Sequence, residues 1–373
     1  MMITKNRGLY IHVPICVRKC AYCDFVSFAE NGFAKRELYF EKLISEIRSY
    51  KEEKISVDTV FFGGGTPSLM SEEEVVNLMS SIRESFCLTP DAEISIEINP
   101  KTLTRKSAKL YKELGINRVS LGVQSIHEKE LKKLGRIHSR EDFLESYAIL
   151  KDAGFENISL DLMYGIPEQS LKSFEETLSL AISLCPEQSS VYGLILEEGT
   201  PLFDKQKEFT FPSEDEEADM YYLAANMLAK AGYRHYEISN YAKEGKECKH
   251  NLKYWRAEEY VGVGVAAHSF YKNRRFFNPS ELSLYLSLER NILNEEEITV
   301  SDAAYERVML ALRLLEGLSL TEYRSDFSVD FREGREAIIE RFIKEGYAKL
   351  EDDRLALTEK GFYISNYIIS ELI

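Results

Sequence analysis

Three cysteines within one short stretch, Cys16, Cys20 and Cys23 in YIHVPICVRKCAYCDF (Tyr10 to Phe25), constrain this chain more than any other feature. Their C-x3-C-x2-C spacing follows a strand-like run directly and carries no helical pattern. It places three thiols on one loop, aimed at one inorganic object. A structural zinc site wants four ligands in a closed tetrahedron, with a second ligand pair elsewhere in the chain, and no matching C-x2-C or H-x3-H exists here. An iron–sulfur cubane held by three thiolates instead leaves one iron without a protein ligand, open to a small molecule. A redox pair with a spare thiol, or a zinc knuckle completed by His12, stays open at this point.

Size and charge narrow the classes. A chain of 373 residues with 44% hydrophobic content can bury a full-sized core and a smaller domain. Its six cysteines are irregularly spaced. With no signal peptide and no apolar run long enough to span a bilayer, they lead to the expectation of a reducing, cytoplasmic compartment. The net charge of -15 argues against a nucleic-acid partner, whose affinity comes mostly from phosphate neutralisation.

Short β-rich runs alternate with amphipathic helical runs, the rhythm of βα units on a parallel sheet. The strands read as Leu9 to Val13, Thr59 to Phe62, Ile94 to Ile98, Arg118 to Val123, Ile158 to Met163 and Ser190 to Ile195. Helices are expected over Arg36 to Tyr50, Glu72 to Phe86, Thr104 to Leu114, Glu141 to Ala153 and Leu171 to Leu184. Ser71 with Glu74, and Ser139 with Asp142, fit capping boxes at helix starts. Gly115 and Gly154 fit helix ends. Six such units make a partial, open version of the eightfold barrel, an α/β fold whose chemistry sits at the C-terminal ends of the strands. The cysteine loop follows the first strand, and Gly63-Gly64-Gly65-Thr66-Pro67 follows the second, where glycine lets backbone amides approach a ligand. Glu97, Gln124 with Ser125, and Asp161 lie at or in the next three strands. Polar groups in such apolar runs favour a ligand-lined mouth over ordinary barrel packing.

The cysteine motif, with an aromatic residue before the third cysteine, resembles the radical S-adenosylmethionine (SAM) superfamily. Together with FFGGGTPS, SIEINP, RVSLGVQS, GRIHSR and DLMYGIP, it resembles the oxygen-independent coproporphyrinogen III oxidase group over the first two-thirds of the chain. That resemblance implies a [4Fe–4S] cluster on Cys16, Cys20 and Cys23, with SAM chelated at the open iron. It further implies a SAM pocket lined by Tyr10, Gly64, Gly65, Thr66, Glu97, Gln124, Arg136, Asp161 and Ile195. Glu97 and Asp161 can accept from ribose hydroxyls or an ammonium, and Arg136 can fork onto a carboxylate. In the superfamily, one-electron reduction of SAM then yields a deoxyadenosyl radical, with the protein holding geometry.

Two departures point away from the oxidases. Asp24 and Phe25 stand where their motif continues to a further cysteine, and only a few residues precede the first strand. Both features resemble the HemW-type heme chaperones. So does HNLKYW, His250 to Trp255, which is similar to the HNxxYW motif of those proteins. Imidazole is a common axial ligand of heme iron, so the resemblance implies that His250 binds heme, carried as cargo, with Tyr254 and Trp255 against the porphyrin face. The bland alternative is a hydrogen-bonded loop histidine beside a core tryptophan. Cys248 is an accessory ligand or an incidental thiol. His268 is expected to be buried and hydrogen-bonded in VGVGVAAHS, a stretch resembling the one that packs on the barrel's SAM side.

The expected division is a radical SAM partial barrel over 1–240, a connecting region with the HNxxYW segment over 241–300, and a small α+β winged-helix-like domain over 301–373. The last lacks a basic stripe, so a lid or docking surface is expected there rather than a DNA reader. Three functions follow. One is a heme chaperone passing heme to apo-hemoproteins. The second is a coproporphyrinogen oxidase, and the third an iron–sulfur scaffold with a vestigial SAM site. The partners expected for the first are heme, apo-hemoprotein recipients and a second copy of the chain in a homodimer, with cofactor state coupled to heme release.

Overall fold

The computed structural model describes residues 6–30, 33–288 and 293–373. Six strands stand where the βα rhythm places them: β1 (Arg7–Val13), β2 (Ser56–Gly64), β3 (Cys87–Ile98), β4 (Arg118–Gln124), β5 (Ile158–Tyr164) and β6 (Gln188–Gly193). Each pairs in parallel with the next. The crossovers carry α1 (Arg36–Ser49), α2 (Glu72–Ser85), α3 (Arg105–Glu113), α4 (Glu128–Lys133), α5 (Arg140–Asp152) and α6 (Leu171–Ser183). β6 is followed by α7 (Pro201–Asp204) and α8 (Glu214–Lys230).

The alternation of side chains along each strand sorts the chemistry. Leu9, Ile11, Val60, Phe62, Ile94, Ile96, Val119, Leu121, Leu160 and Leu162 pack outward under the helices in one core. Their neighbours Tyr10, Phe61, Glu97, Ser120 and Asp161 therefore face the lumen. Capping boxes at Ser71 and Ser139 start α2 and α5, and Gly115 and Gly154 take the positive φ that ends a helix. Ile195 lies beyond β6, which ends at Gly193, because the chain turns off the sheet there.

The second half of the chain extends this sheet. β7 (Arg234–Glu237) and β8 (Asn240–Ala242) form a hairpin on β6, and after α9 (Lys249–Trp255) come β9 (Tyr260–Val263), β10 (His268–Tyr271) and β11 (Arg274–Phe277). α10 (Leu282–Ser287) and β12 (Leu293–Glu297) follow. The sheet has twelve strands in the order β12-β11-β10-β9-β1-β2-β3-β4-β5-β6-β8-β7. β9 joins β1 in parallel, so Val261 and Val263 are barrel residues with no exposure. His268 is an exposed residue whose ring stacks on Phe277, contrary to the buried position expected, because β10 leaves the barrel on the outer side of β9.

The last part packs α11 (Val300–Ala311), α12 (Leu320–Phe327), α13 (Glu336–Lys344), α14 (Glu359–Tyr363) and α15 (Ser365–Leu372) on a small sheet. That sheet comprises β13 (Leu318–Ser319), β14 (Ala348–Glu351) and β15 (Arg354–Leu357). Asp352 and Asp353 turn the β14–β15 hairpin with positive φ. Phe331, Phe342, Leu357, Phe362 and Ile368 form a core of their own, into which Tyr221 of α8 also packs.

Candidate functional site

The cysteine loop is held by backbone bonds on several sides. Ile15–Cys16 pairs in parallel with Phe28–Ala29. The Gly65 amide donates to Val13 O at 2.9 Å and the Thr66 amide to Ile15 O at 2.6 Å. Gly65 is required by that approach: a Cβ there would stand 2.6 Å from Ile15 O and 2.8 Å from Ile15 N. The glycine run at the end of β2 thus clamps the strand that delivers Cys16.

Cys16, Cys20 and Cys23 are free and partly exposed. They line one cavity of about 300 Å3 with Gly64, Gly65, Thr66, Glu97, Gln124, Arg136 and Asp161. Among the described residues no three Cys, His, Asp or Glu groups converge tightly enough for a single metal ion. Thiols that ring a cavity instead suit a polynuclear cluster, in which each sulfur addresses a different iron. The zinc knuckle through His12 fails on geometry: its Nδ1 meets the Tyr10 hydroxyl at 3.0 Å and its Nε2 the Val26 carbonyl at 2.8 Å.

Donors already face the sulfurs. Arg136 Nη1 donates to Cys20 Sγ at 3.7 Å, and Thr66 Oγ1 donates to Cys16 Sγ at 3.7 Å while accepting from Asn99 Nδ2 at 2.7 Å. The half-buried Arg136 also donates to Asn99 Oδ1 at 2.6 Å, and its buried Nε has no hydrogen-bond partner among the described residues. Burial pushes the Cys23 thiol up to about 11, so a thiolate there is disfavoured unless a positive charge, such as that of a metal cluster, would stand beside it.

Two carboxyls share the floor of the cavity. Burial, then the Asp161 charge, raises Glu97 to about 7, and its Oε2 accepts from the Gly64 amide at 3.2 Å. Asp161 is likewise raised by burial and accepts from the Ser120 hydroxyl at 2.9 and 3.0 Å. Gln124 takes φ +64° at the end of β4 and accepts from the Tyr192 hydroxyl at 2.7 Å. Tyr10 stands apart from the cavity lining, stacked on Phe61 and bonded to His12. Ile195 is 70% exposed and also outside that lining. Asn99, Ser120 and Tyr192 are lining residues that sequence reasoning passed over. The signal for Asn99 was present in SIEINP, two residues after Glu97 and directly past the C-terminal end of β3.

HNLKYW lies at the other end of the barrel, forming α9 across its floor. His250 is 1% exposed. Its Nδ1 meets Thr59 Oγ1 at 2.9 Å, its Nε2 meets the Tyr254 hydroxyl at 2.8 Å, and its ring stacks on Phe61. Burial, with the Lys253 charge, lowers it to about 3. Glu93 Oε1 accepts from the His250 amide at 3.2 Å and from Cys248 Sγ at 3.7 Å, so Cys248 is turned into the floor. Lys253 bridges Asp58 and Glu258, each at 2.9 Å. Trp255 donates to Glu237, a carboxyl that burial raises to about 7. Both His250 ring nitrogens are thus engaged, and neither is open to a metal with α9 in this position.

Residues 10–181 match the radical SAM superfamily, and residues 298–364 match the HemN C-terminal domain. The heme chaperone HemW of Lactococcus lactis is 34% identical, over 100% of this chain and 98% of that protein. The heme chaperones HemW of Bacillus subtilis (33% identity, 98% of this chain, 99% of that protein) and Escherichia coli (36%, 85% and 85%) are similar as well. Coproporphyrinogen III oxidase (HemN) from Escherichia coli, a solved radical SAM enzyme, superposes with a TM-score of 0.87 at 22% identity. That superposition covers 98% of this chain and 90% of the other, and at such identity it shows the shared fold alone.

Proposed function

The chain belongs to the HemW heme chaperone family of radical SAM proteins, and from that premise we propose that it binds heme and passes it to apo-hemoproteins. In this reading Cys16, Cys20 and Cys23 hold a [4Fe–4S] cluster, and SAM occupies the cavity beside it. The observation that carries the cofactor part is the ring of three thiols around one cavity that also contains Arg136, Glu97 and Asp161. When bound, the cluster supplies one-electron chemistry and an open iron.

The chain's own residues do the holding. Arg136 and Thr66 direct donors at the sulfurs of Cys20 and Cys16, and would orient them as cluster ligands. Glu97 and Asp161 present acceptors to the hydroxyl or ammonium groups of SAM, and the high proton affinity of Glu97 lets it donate as well. The Gly64–Thr66 backbone closes one wall. Tyr10 acts from beneath by fixing His12, which in turn ties the cysteine loop at Val26. A reducing, cytoplasmic compartment suits six free thiols. His250 is an iron ligand in this reading only if α9 opens.

The test is anaerobic reconstitution followed by parallel assays. Stoichiometric iron and sulfide, SAM binding, a heme-induced Soret band and heme transfer to an apo-hemoprotein are expected. Turnover of coproporphyrinogen III, or an absence of any heme binding, would overturn the chaperone reading.

A further inference from the structure

A basic groove lies beside the cysteine loop of this acidic chain. α4 and the segment 201–209, which contains α7, face each other across a cavity of about 460 Å3. Ala21, Pro201, Leu202 and Phe209 supply apolar lining. Lys129, Lys132 and Lys133 come from α4 and Lys205 from the opposite wall. The α4 lysines share a face because positions three and four apart align on a helix, while Glu130 and Leu131 turn inward and are buried.

Lys133 lies 5.0 Å from the Phe209 ring centroid and pairs with Glu168, and Lys132 pairs with Glu128 at 3.5 Å. Among the described residues no salt bridge is found for Lys129 or Lys205. Four ammonium groups gathered on an apolar floor, in a chain of net charge -15, match a ligand with an apolar body and more than one carboxylate.

We propose that this groove is the seat of heme while α9 is closed, with the macrocycle on Pro201 and Phe209 and the two propionates on the lysines. The assignment rests on the heme-chaperone reading. It fits a compact planar dicarboxylate because the cavity volume falls in the small-molecule range of about 300–1,000 Å3. The His250 floor cannot offer such a seat without opening. The groove is tied to the cluster loop through one residue: the Ala21 amide donates to Leu134 O at 2.9 Å, and Ala21 O accepts from the Leu202 amide at 2.8 Å. Ala21 lies between Cys20 and Cys23, so a ligand that shifts either wall shifts the cluster loop. Heme affinity and cluster occupancy then couple reciprocally.

The test is hemin titration of the reconstituted full-length protein, read by the Soret band and by quenching of intrinsic fluorescence. Wild type is compared with the triple variant Lys129→Glu, Lys132→Glu, Lys205→Glu, all at exposed positions, and with His250→Asn. A loss of at least tenfold in heme affinity is expected for the triple variant, with iron content and SAM binding unchanged. Wild-type affinity should fall several-fold in 0.5 M salt (about a 4 Å Debye length), and hemin dimethyl ester should bind wild type and variant alike. A triple variant with wild-type affinity overturns the groove and leaves the chaperone reading standing, whereas wild type that binds no heme removes that reading. Retained heme affinity with lost transfer to an apo-hemoprotein would make the groove an acidic-protein dock and overturn its assignment to heme.

Discussion

Replacing His250 with alanine should destabilise the protein in the absence of heme, because its ring closes the barrel floor. The side chain is 1% exposed, stacks on Phe61 and satisfies Thr59 and Tyr254 at 2.9 and 2.8 Å. Truncating a buried ring of this size costs roughly 3 kcal/mol in lost packing, and each orphaned buried hydroxyl adds about 1 kcal/mol or more. Water entering the new space offsets part of the second term, which leaves about 4 kcal/mol against a typical total stability of about 5–15 kcal/mol. Anaerobic urea unfolding of wild type and His250→Ala, without heme, measures it as a shift in midpoint at constant slope. A difference below about 1 kcal/mol would mean that the imidazole is not part of the floor. It also follows that lost heme binding in His250→Ala is no proof of ligation unless His250→Asn, with its amide in the same network, loses it too.

Alanine at Cys16, Cys20 or Cys23 should each abolish a stable cluster, measured as iron and sulfide after reconstitution, whereas serine at the exposed Cys87 or Cys185 should leave both unchanged. Gly65→Ala drives a Cβ to 2.6 Å from Ile15 O, so cluster yield should fall with little change in secondary structure by circular dichroism. The His250 proton adds a pH dependence. Its folded value of about 3 lies below the ordinary histidine range near 6.5, so the unfolded chain takes up the proton first and stability is lost as pH falls below that range. The stability gap between wild type and His250→Asn should shrink by about 2 kcal/mol from pH 7 to pH 5, and a gap independent of pH in urea titrations would refute the buried neutral ring.

Sequence alone determined the parts governed by local spacing. The C-x3-C-x2-C loop, six short β-rich runs alternating with helical ones and the boxes at Ser71 and Ser139 depend on neighbours within one turn or one strand, and the strands and boxes stand where that reading puts them. Glu97, Asp161 and Gln124 were legible for the same reason, as polar side chains in otherwise apolar strands. The tertiary structure decided what depends on where distant segments land. HNLKYW became a floor plug because β9 pairs with β1, which sets α9 across the N-terminal ends of the strands. Tyr192 joined the cavity through register across the sheet, and Asn99 through its place just past the end of β3. The lysines of α4 met Lys205 only because Ala21 bonds to Leu134 and Leu202. Spacing specifies which way a side chain faces on its own element, whereas its surroundings follow from burying apolar surface between elements far apart in the chain.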